Sequence, residues 1–395
     1  MPSTVILAGA RTPFGVFGGS LKDVPATQLG AAAIRAALAR ADVPGEQVDN
    51  VIMGMVVQAG AGQIPSRQAS IGAGLPVTVT SETINKVCAS GMRAINLGDV
   101  LIRAGEADIV VAGGMENMSR GPYLLPGARF GHRLGHGQVL DATVYDGLWC
   151  AFHDVHMGHH GERMAREFGV SREEQDAWAY RSHMRAIAAI DSGRMALETT
   201  PVAVPDGRGG VRLFDTDEAP RRDTSPEKLA RLRPAFTPDG CITAGNAPGI
   251  NDGAAALVLM SEERARAEGR RPLARIRSFA TVSAEPPYLA TVPHLAAEKA
   301  LAKAGLRRED IGLVEINEAF AVVTLVSMRL GQWDPEIVNV NGGAIALGHP
   351  IGASGARIVL TLALEMQRRG VQFGLASICS GGGQGEAIVL ELVEE

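Results

Sequence analysis

Short apolar runs alternate along this chain with longer stretches whose apolar positions recur every three or four residues, the signature of strands taking turns with helices. Val5–Ala8 reads as a short buried strand, Gln28–Ala41 as a helix that stops before Pro44, and Asn50–Val57 as a second strand. Glu82–Val87 reads as a strand running into Cys88, Met92–Ala104 as a helix, and Asp108–Ala112 as a strand closing on Gly113-Gly114. Leu313–Ile316 and Gly374–Ile378 add strands in the second half. This alternation predicts an α/β fold with a mostly parallel sheet covered on both faces. A long helix is expected from Ser171 to about Ser192, where Ser171 and Glu174 form a capping-box signature.

The pattern also repeats. Ala37–Val43 resembles Ala300–Leu306, and Ala89-Ser-Gly-Met-Arg93 resembles Ala353-Ser-Gly-Ala-Arg357 at nearly the same offset. Gly253-Ala-Ala-Ala-Leu-Val then resembles Gly385-Glu-Ala-Ile-Val-Leu at a much shorter one. Each match is short, but their shared order indicates two copies of one unit, the first interrupted by an insertion between Gly114 and Gly253. The insertion differs in composition: it holds seven of the nine histidines, several Gly/Pro-rich turns and few strand patterns, as expected of a lid or arm.

Length and charge narrow the class. A chain of 395 residues predicts two or three domains, and 46% apolar with 21% charged residues fits a soluble globular protein. A net charge of −5 without Lys/Arg runs gives no hint of nucleic acid. The N-terminus lacks a charged n-region, and the longest apolar run, around Ala254–Met260, is far short of a membrane span. Four scattered cysteines (Cys88, Cys150, Cys241 and Cys379) suggest neither a disulfide framework nor a zinc knuckle. The expectation is a cytoplasmic, reduced protein with thiols free for chemistry.

Three stretches combine a reactive side chain with small residues. Cys88 lies where strand gives way to helix, and a helix N-terminus favours the thiolate; taken alone, the stretch suits a buried inert cysteine equally well. Cys379 precedes Ser380-Gly-Gly-Gly383, and successive glycines there could aim backbone N–H groups at a developing negative charge. His349 is held between Gly348 and Pro350; a neutral imidazole can deprotonate a thiol, although a lone histidine is more often structural. Asn317, in Asn317-Glu-Ala-Phe320, alone reads as a loop-capping residue.

Taken together, the blocks around Cys88, Asn317, Gly342-Gly-Ala-Ile-Ala-Leu-Gly-His-Pro350 and Cys379-Ser-Gly-Gly-Gly383 resemble the thiolases, in that family's order and over almost the whole chain. His156-Met157-Gly158 and Thr243–Asp252 extend the likeness into the insertion. The resemblance implies a five-layer α-β-α-β-α fold of two duplicated halves, with residues 1–119 plus 251–270 as the first half, 120–250 as an inserted CoA-binding and tetramerisation loop domain, and 271–395 as the second half. It implies ping-pong acyl transfer with Cys88 as nucleophile, His349 as its activator and Cys379 as the acid/base. His349 and a water held by Asn317 would form one oxyanion hole, and the amides of Cys88 and Gly381 the other. By the same similarity Leu148, His156, Met157, Arg221, Phe236, Ala244, Ala319 and Phe320 line the CoA channel. Pro248 departs from the pattern, since a serine often contacts the pantetheine there, and is left out of the site. Leu289 stands where some short-chain members carry a bulkier methionine.

The activity expected from the resemblance is the condensation of two acetyl-CoA to acetoacetyl-CoA and CoA, with CoA as substrate and no cofactor. A 3-ketoacyl-CoA thiolase of broader chain length, acting in β-oxidation, is the near alternative. Decarboxylating condensing enzymes are disfavoured by Cys379, and a non-catalytic acyl-CoA or lipid carrier by the intact Cys88, His349 and Cys379. No metal is expected: the spacing in His153-Asp-Val-His156-Met-Gly-His159-His160 fits no common ligand pattern, and surface or CoA-contacting histidines are the reading adopted. A homotetramer, a dimer of dimers, follows from the resemblance.

Overall fold

A computed structural model describes residues 3–393. Nine strands build one large sheet: β1 Thr4–Arg11, β2 Asn50–Gly54, β3 Thr80–Ile84, β4 Ile109–Asn117, β5 Asn251–Ser261, β6 Ala274–Ser283, β7 Leu313–Ile316, β8 Phe373–Ser380 and β9 Gln384–Glu391. Their order is β7-β8-β9-β6-β1-β5-β4-β2-β3, and the two-residue strand Gly15–Val16 pairs with β5 as the tenth member. All of β5 is buried. Ala254, Ala256, Val258 and Met260 face one core, while Ala255, Leu257 and Leu259 face another. A strand covered on both faces needs apolar residues at every position, so it reads as a continuous run.

The sheet is mixed, which corrects the expected mostly parallel one. Among the described residues the strand pairs β2·β3, β2·β4 and β7·β8 are parallel; β5 runs antiparallel to β1 and β4, and β9 antiparallel to β6 and β8. The reason lies in the connections. A parallel neighbour requires a crossover, whereas β8 reaches β9 through the turn Gly381–Gly383, which permits only antiparallel return. Similarly the chain leaves β4 at Asn117 and re-enters β5 at Asp252, directly opposite.

The duplication is visible in this order. The first half reads β3-β2-β4-β5-β1; the second, counting the parallel bridge of Val338 to Val314 as its outer strand, reads 338-β7-β8-β9-β6. The halves join where Thr4–Ile6 pair antiparallel with Ala274–Ile276. Helices α1 Ala26–Ala41 and α2 Pro65–Gly72 cover the first half, while α3 Ser90–Ala104 belongs to the middle layer. Within the insertion lie α4 Met157–Glu167 and α5 Arg172–Asp191. Helices α6 Val292–Ala304 and α7 Ala321–Gly331 cover the second half, followed by the short α8 Ala344–Leu347 and then α9 Ser354–Arg369. Helices α3 and α9 contact strands of both halves, and their Met92, Ile95, Ile358, Val359 and Leu362 share a core with Ile6, Leu257, Ile276 and Ile388. The result is the five-layer α-β-α-β-α arrangement.

Helices α3 and α9 cross at matched glycines. A methyl on Gly91 would lie 2.7 Å from the backbone nitrogen of Ala356, and one on Gly355 would lie 2.5 Å from that of Met92. The pairing is reciprocal, as a pseudo-two-fold axis through the crossing requires. Segment 118–250 packs on both halves: Val202, Val204 and Phe214 join the core of the first, and Arg11 pairs with Glu198 and Asp217. Helix α5 opens with the Ser171–Glu174 capping box. It then crosses to the second half, where Trp178 Nε1 and Ser182 Oγ donate to the buried Glu318 carboxylate at 2.9 and 2.7 Å.

Gly355→Ala should therefore force the central helices apart. The expected loss is about 1–3 kcal/mol, the usual cost of overpacking, read as a lowered urea midpoint; an unchanged midpoint would show that the crossing yields freely.

Candidate active site

Cys88 sits on a strained elbow between β3 and α3. Val87 has φ +44°, a conformation that costs a β-branched residue roughly 1–3 kcal/mol. The turn is held by Ser90, whose Oγ donates to the Val87 carbonyl at 2.7 Å and accepts from Lys86 N at 2.8 Å, and by Asn85 Oδ1 accepting from Val87 N at 2.9 Å. The backbone amides of Cys88 itself and of Gly381 both donate toward the Cys88 sulfur. Burial pushes this thiol up to about 12, against those amides and with a further push from Glu116. The helix start does not hold Cys88 as a thiolate at rest, contrary to the sequence expectation.

Cys379 lies within β8, opposite Gly385 of β9, rather than beyond the strand's end. It is buried, and burial followed by the neighbouring Cys88 raises its pKa well above the ordinary thiol value. The loops of the two halves are tied directly. Ser380 Oγ donates to the Lys86 carbonyl, and Lys86 Nζ pairs with Glu386 Oε1 at 2.7 Å. Gly381 packs on Val87, where an added methyl would meet its side chain at 3.2 Å.

His349 is buried and fixed from two sides. Its backbone N–H donates to Asn251 Oδ1 at 2.9 Å, and its Nδ1 lies 2.6 Å from Ser354 Oγ. That hydroxyl also lies 3.0 Å from the Pro350 carbonyl. When it donates to Pro350, Nδ1 keeps the proton and Nε2 offers a lone pair; when it donates to Nδ1, Nε2 carries the proton. Nε2 itself has no protein partner. Burial, then Arg357, lowers the imidazole to about 3, so it is neutral at physiological pH.

A cavity of about 280 Å³ gathers Cys88, His349, Cys379 and Gly381 with Leu148, His156, Met157, Phe236, Ala319 and Phe320. His156 caps α4 by accepting from Gly158 N at 3.0 Å, and its ring stacks on Phe236 at 4.8 Å. Arg221 and Ala244 line an adjoining concavity with His183 and Arg222 instead. The two concavities share Ala247–Ile250, so Pro248, set aside in the sequence reading, lines both. Asn317 does not reach the cavity wall, yet its side-chain amide is fully buried and pairs with no protein group. Of the histidines beyond these, His132, His136 and His153 are exposed and His160 is buried. The sequence reading missed Asn251 and Ser354. Both sit inside motifs that were recognised, but nothing in the motif says which member braces the histidine.

Comparison with known proteins agrees along the whole length. A family model described as "Thiolase, N-terminal domain" matches residues 4–263, and one described as "Thiolase, C-terminal domain" matches residues 270–392. A protein of Pseudomonas aeruginosa named acetyl-CoA acetyltransferase is 53% identical over 390 residues, covering 99% of each chain. One of the same name from Chromobacterium violaceum is 52% identical over 387 residues, covering 98% of each. The crystal structure of the Bacillus anthracis acetyl-CoA acetyltransferase matches with a TM-score of 0.97 at 44% identity, covering 100% of this chain and 99% of that one.

The depressed His349 pKa has a consequence for stability. In the unfolded chain this histidine binds a proton below about pH 6.5, whereas in the fold it resists protonation down to about 3. The unfolded state therefore gains protons first as pH falls, and stability declines across that window. Between pH 7 and pH 5 the His349 share of the loss is about 2 kcal/mol. Urea unfolding of wild type and His349→Gln at both pH values should show a shallower decline in the variant; equal declines would contradict a buried neutral imidazole.

Proposed function

Because the chain belongs to the thiolase family and is an acyltransferase, we propose that it is an acetyl-CoA C-acetyltransferase, joining two acetyl-CoA into acetoacetyl-CoA and CoA in a reversible Claisen condensation. The observation that carries this reading is one apolar cavity holding two cysteines from opposite halves, a neutral histidine, and two amides aimed at one of the sulfurs.

In this proposal the proton of Cys88 passes to His349 Nε2 as the sulfur attacks the thioester carbonyl. The tetrahedral oxyanion forms beside the amides of Cys88 and Gly381, where a well-placed donor contributes ~3–4 kcal/mol. The CoA thiolate leaves with the proton from His349, and the acetyl group stays on Cys88. Cys379 then gives its thiol proton to His349 Nε2, free again once CoA has left, and as thiolate removes the α-proton of a second acetyl-CoA. Its raised pKa suits this task, since a strong base is needed for a weakly acidic carbon. In the reverse direction the same high pKa keeps Cys379 protonated and ready to quench the departing enolate. The enolate oxygen would be met by His349, now with its proton on Nε2, and by a water on the unpaired amide of Asn317.

Coenzyme A acts as substrate, and this chemistry requires no cofactor. Leu148, His156, Met157, Phe236, Ala319 and Phe320 would hold the pantetheine arm, while Arg221 beside Ala244 in the adjoining concavity offers charge for the nucleotide phosphates. We also propose a dimer of dimers. Its support is the row of exposed apolar side chains Tyr123, Leu125, Phe130, Leu134 and Val139 on the inserted segment. No helix of the described residues is long and apolar enough to cross a membrane, and four free cysteines favour a reducing compartment such as the cytoplasm.

Two experiments test the chemistry. Cys88→Ala should abolish the acetyl-enzyme seen by mass spectrometry. Cys379→Ala should still acetylate slowly, with carbon–carbon bond formation reduced by at least ~10²-fold; equal loss of both steps would contradict the division of roles. Across C4 to C16 3-ketoacyl-CoA substrates, turnover should fall steeply beyond C4. A flat series would favour the broad-range 3-ketoacyl-CoA thiolase instead.

A further inference from the structure

Outside the acyl-transfer cavity, one cluster of ligand-type side chains has no part in the chemistry above. Cys150 is on the short strand Trp149–Cys150, which forms a hairpin with Val155–His156. His153 is in the hairpin turn, and His160 is in the first turn of α4, which His156 caps. The donor atoms of Cys150, His153 and His160 all lie within 4.8 Å of one another, and Cys150 Sγ is 3.7 Å from His153 Nδ1. The rings of His153 and His160 meet edge to face at 5.2 Å. His160 is 5% exposed, and its buried Nε2 has no hydrogen-bond partner.

We propose that Cys150, His153 and His160 form a binding site for a borderline-soft divalent cation of the Zn²⁺ class. One thiolate and two imidazoles are the donors such an ion selects. Zinc bonds of about 2.3 Å to sulfur and about 2.0–2.1 Å to nitrogen set tetrahedral neighbours roughly 3.4–3.6 Å apart. The Cys150–His153 pair is already near that spacing, and side-chain rotation in a turn with an exposed His153 supplies the rest. The unpaired Nε2 of His160 gains the partner that the protein does not provide. Three protein ligands leave a fourth position for water, and the exposed side of the cluster admits it. Spacing alone did not suggest this site, because a hairpin and a helix start bring the three residues together. A cation there would pin the hairpin bearing Leu148 and His156 to α4, at the edge of the substrate cavity.

Full-length protein carrying Cys88→Ser and Cys379→Ser, which keeps the active-site thiols out of the measurement, is stripped with chelator and titrated with Co²⁺. One equivalent should bind with a thiolate-to-cobalt charge-transfer band and tetrahedral visible bands, and Zn²⁺ should displace it. Adding Cys150→Ala should remove the charge-transfer band. His153→Ala changes an exposed side chain, so the fold is retained, and it should weaken binding at least tenfold. Failure to bind one equivalent at micromolar metal, a charge-transfer band that survives Cys150→Ala, or unchanged affinity in His153→Ala would each overturn the proposal.

Discussion

The site depends on how closely α3 and α9 cross. The elbow carrying Cys88 runs directly into α3, and His349-Pro350 runs directly into α9. The distance between these two loops is therefore set by the separation of the helix starts. Side chains at positions 91 and 355 would hold those starts apart, because each would meet backbone rather than a movable side chain. Packed cores resist such shifts, and a 1 Å displacement of reacting groups is enough to cost orders of magnitude in rate. The sheet, the outer helices and the paired strands β1 and β6 hold this crossing in place.

Burial decides the ionisation of the cavity. A helix N-terminus favours a thiolate by about 0.3–1 kcal/mol, and by about 2 kcal/mol in good geometry. Raising a thiol from 9 to about 12 corresponds to roughly 4 kcal/mol in the other direction. Desolvation wins, and the resting site is neutral: two thiols and one uncharged imidazole. Such a site does not hold charged intermediates in advance; charge appears only during a step, beside amides already aimed at it. The Ser354 hydroxyl fits this economy, since its two orientations let one imidazole act first as acceptor and then as donor without becoming permanently charged.

Local pattern carried much of this into the sequence. The strands leading to Cys88 and Asn317, the capped helix from Ser171 and the repeated Ala-Ser-Gly-x-Arg blocks were all legible, because each depends on neighbours a few residues apart. Strand direction was not, since it depends on whether the chain crosses over or turns back, and the turn at Gly381–Gly383 decides that for β8 and β9. That Arg221 and Ala244 line a concavity adjoining the one with Phe236, the two sharing Ala247–Ile250, depends on segments far apart in the chain and is not visible in the sequence. Asn251 and Ser354 act on His349 from β5 and α9, contacts that the three-dimensional fold alone brings about.

The corner between the last two strands of each half explains why the halves are no longer alike. In the second half, β8 and β9 are joined by Gly381–Gly383, and the amide of Gly381 is thereby aimed at Cys88. In the first half the same corner, between β4 and β5, holds residues 118–250, which bring Leu148, His156 and Phe236 to the lining of the same cavity. The corners stand at opposite ends of the continuous sheet, because β1 and β6, which join the halves, run antiparallel, yet residues from both line one cavity. A short turn there presents backbone to the reacting atoms, and a long insertion presents side chains to whatever those atoms are attached to. One duplicated corner, used in these two ways, separates reaction from recognition while keeping both on the same cavity.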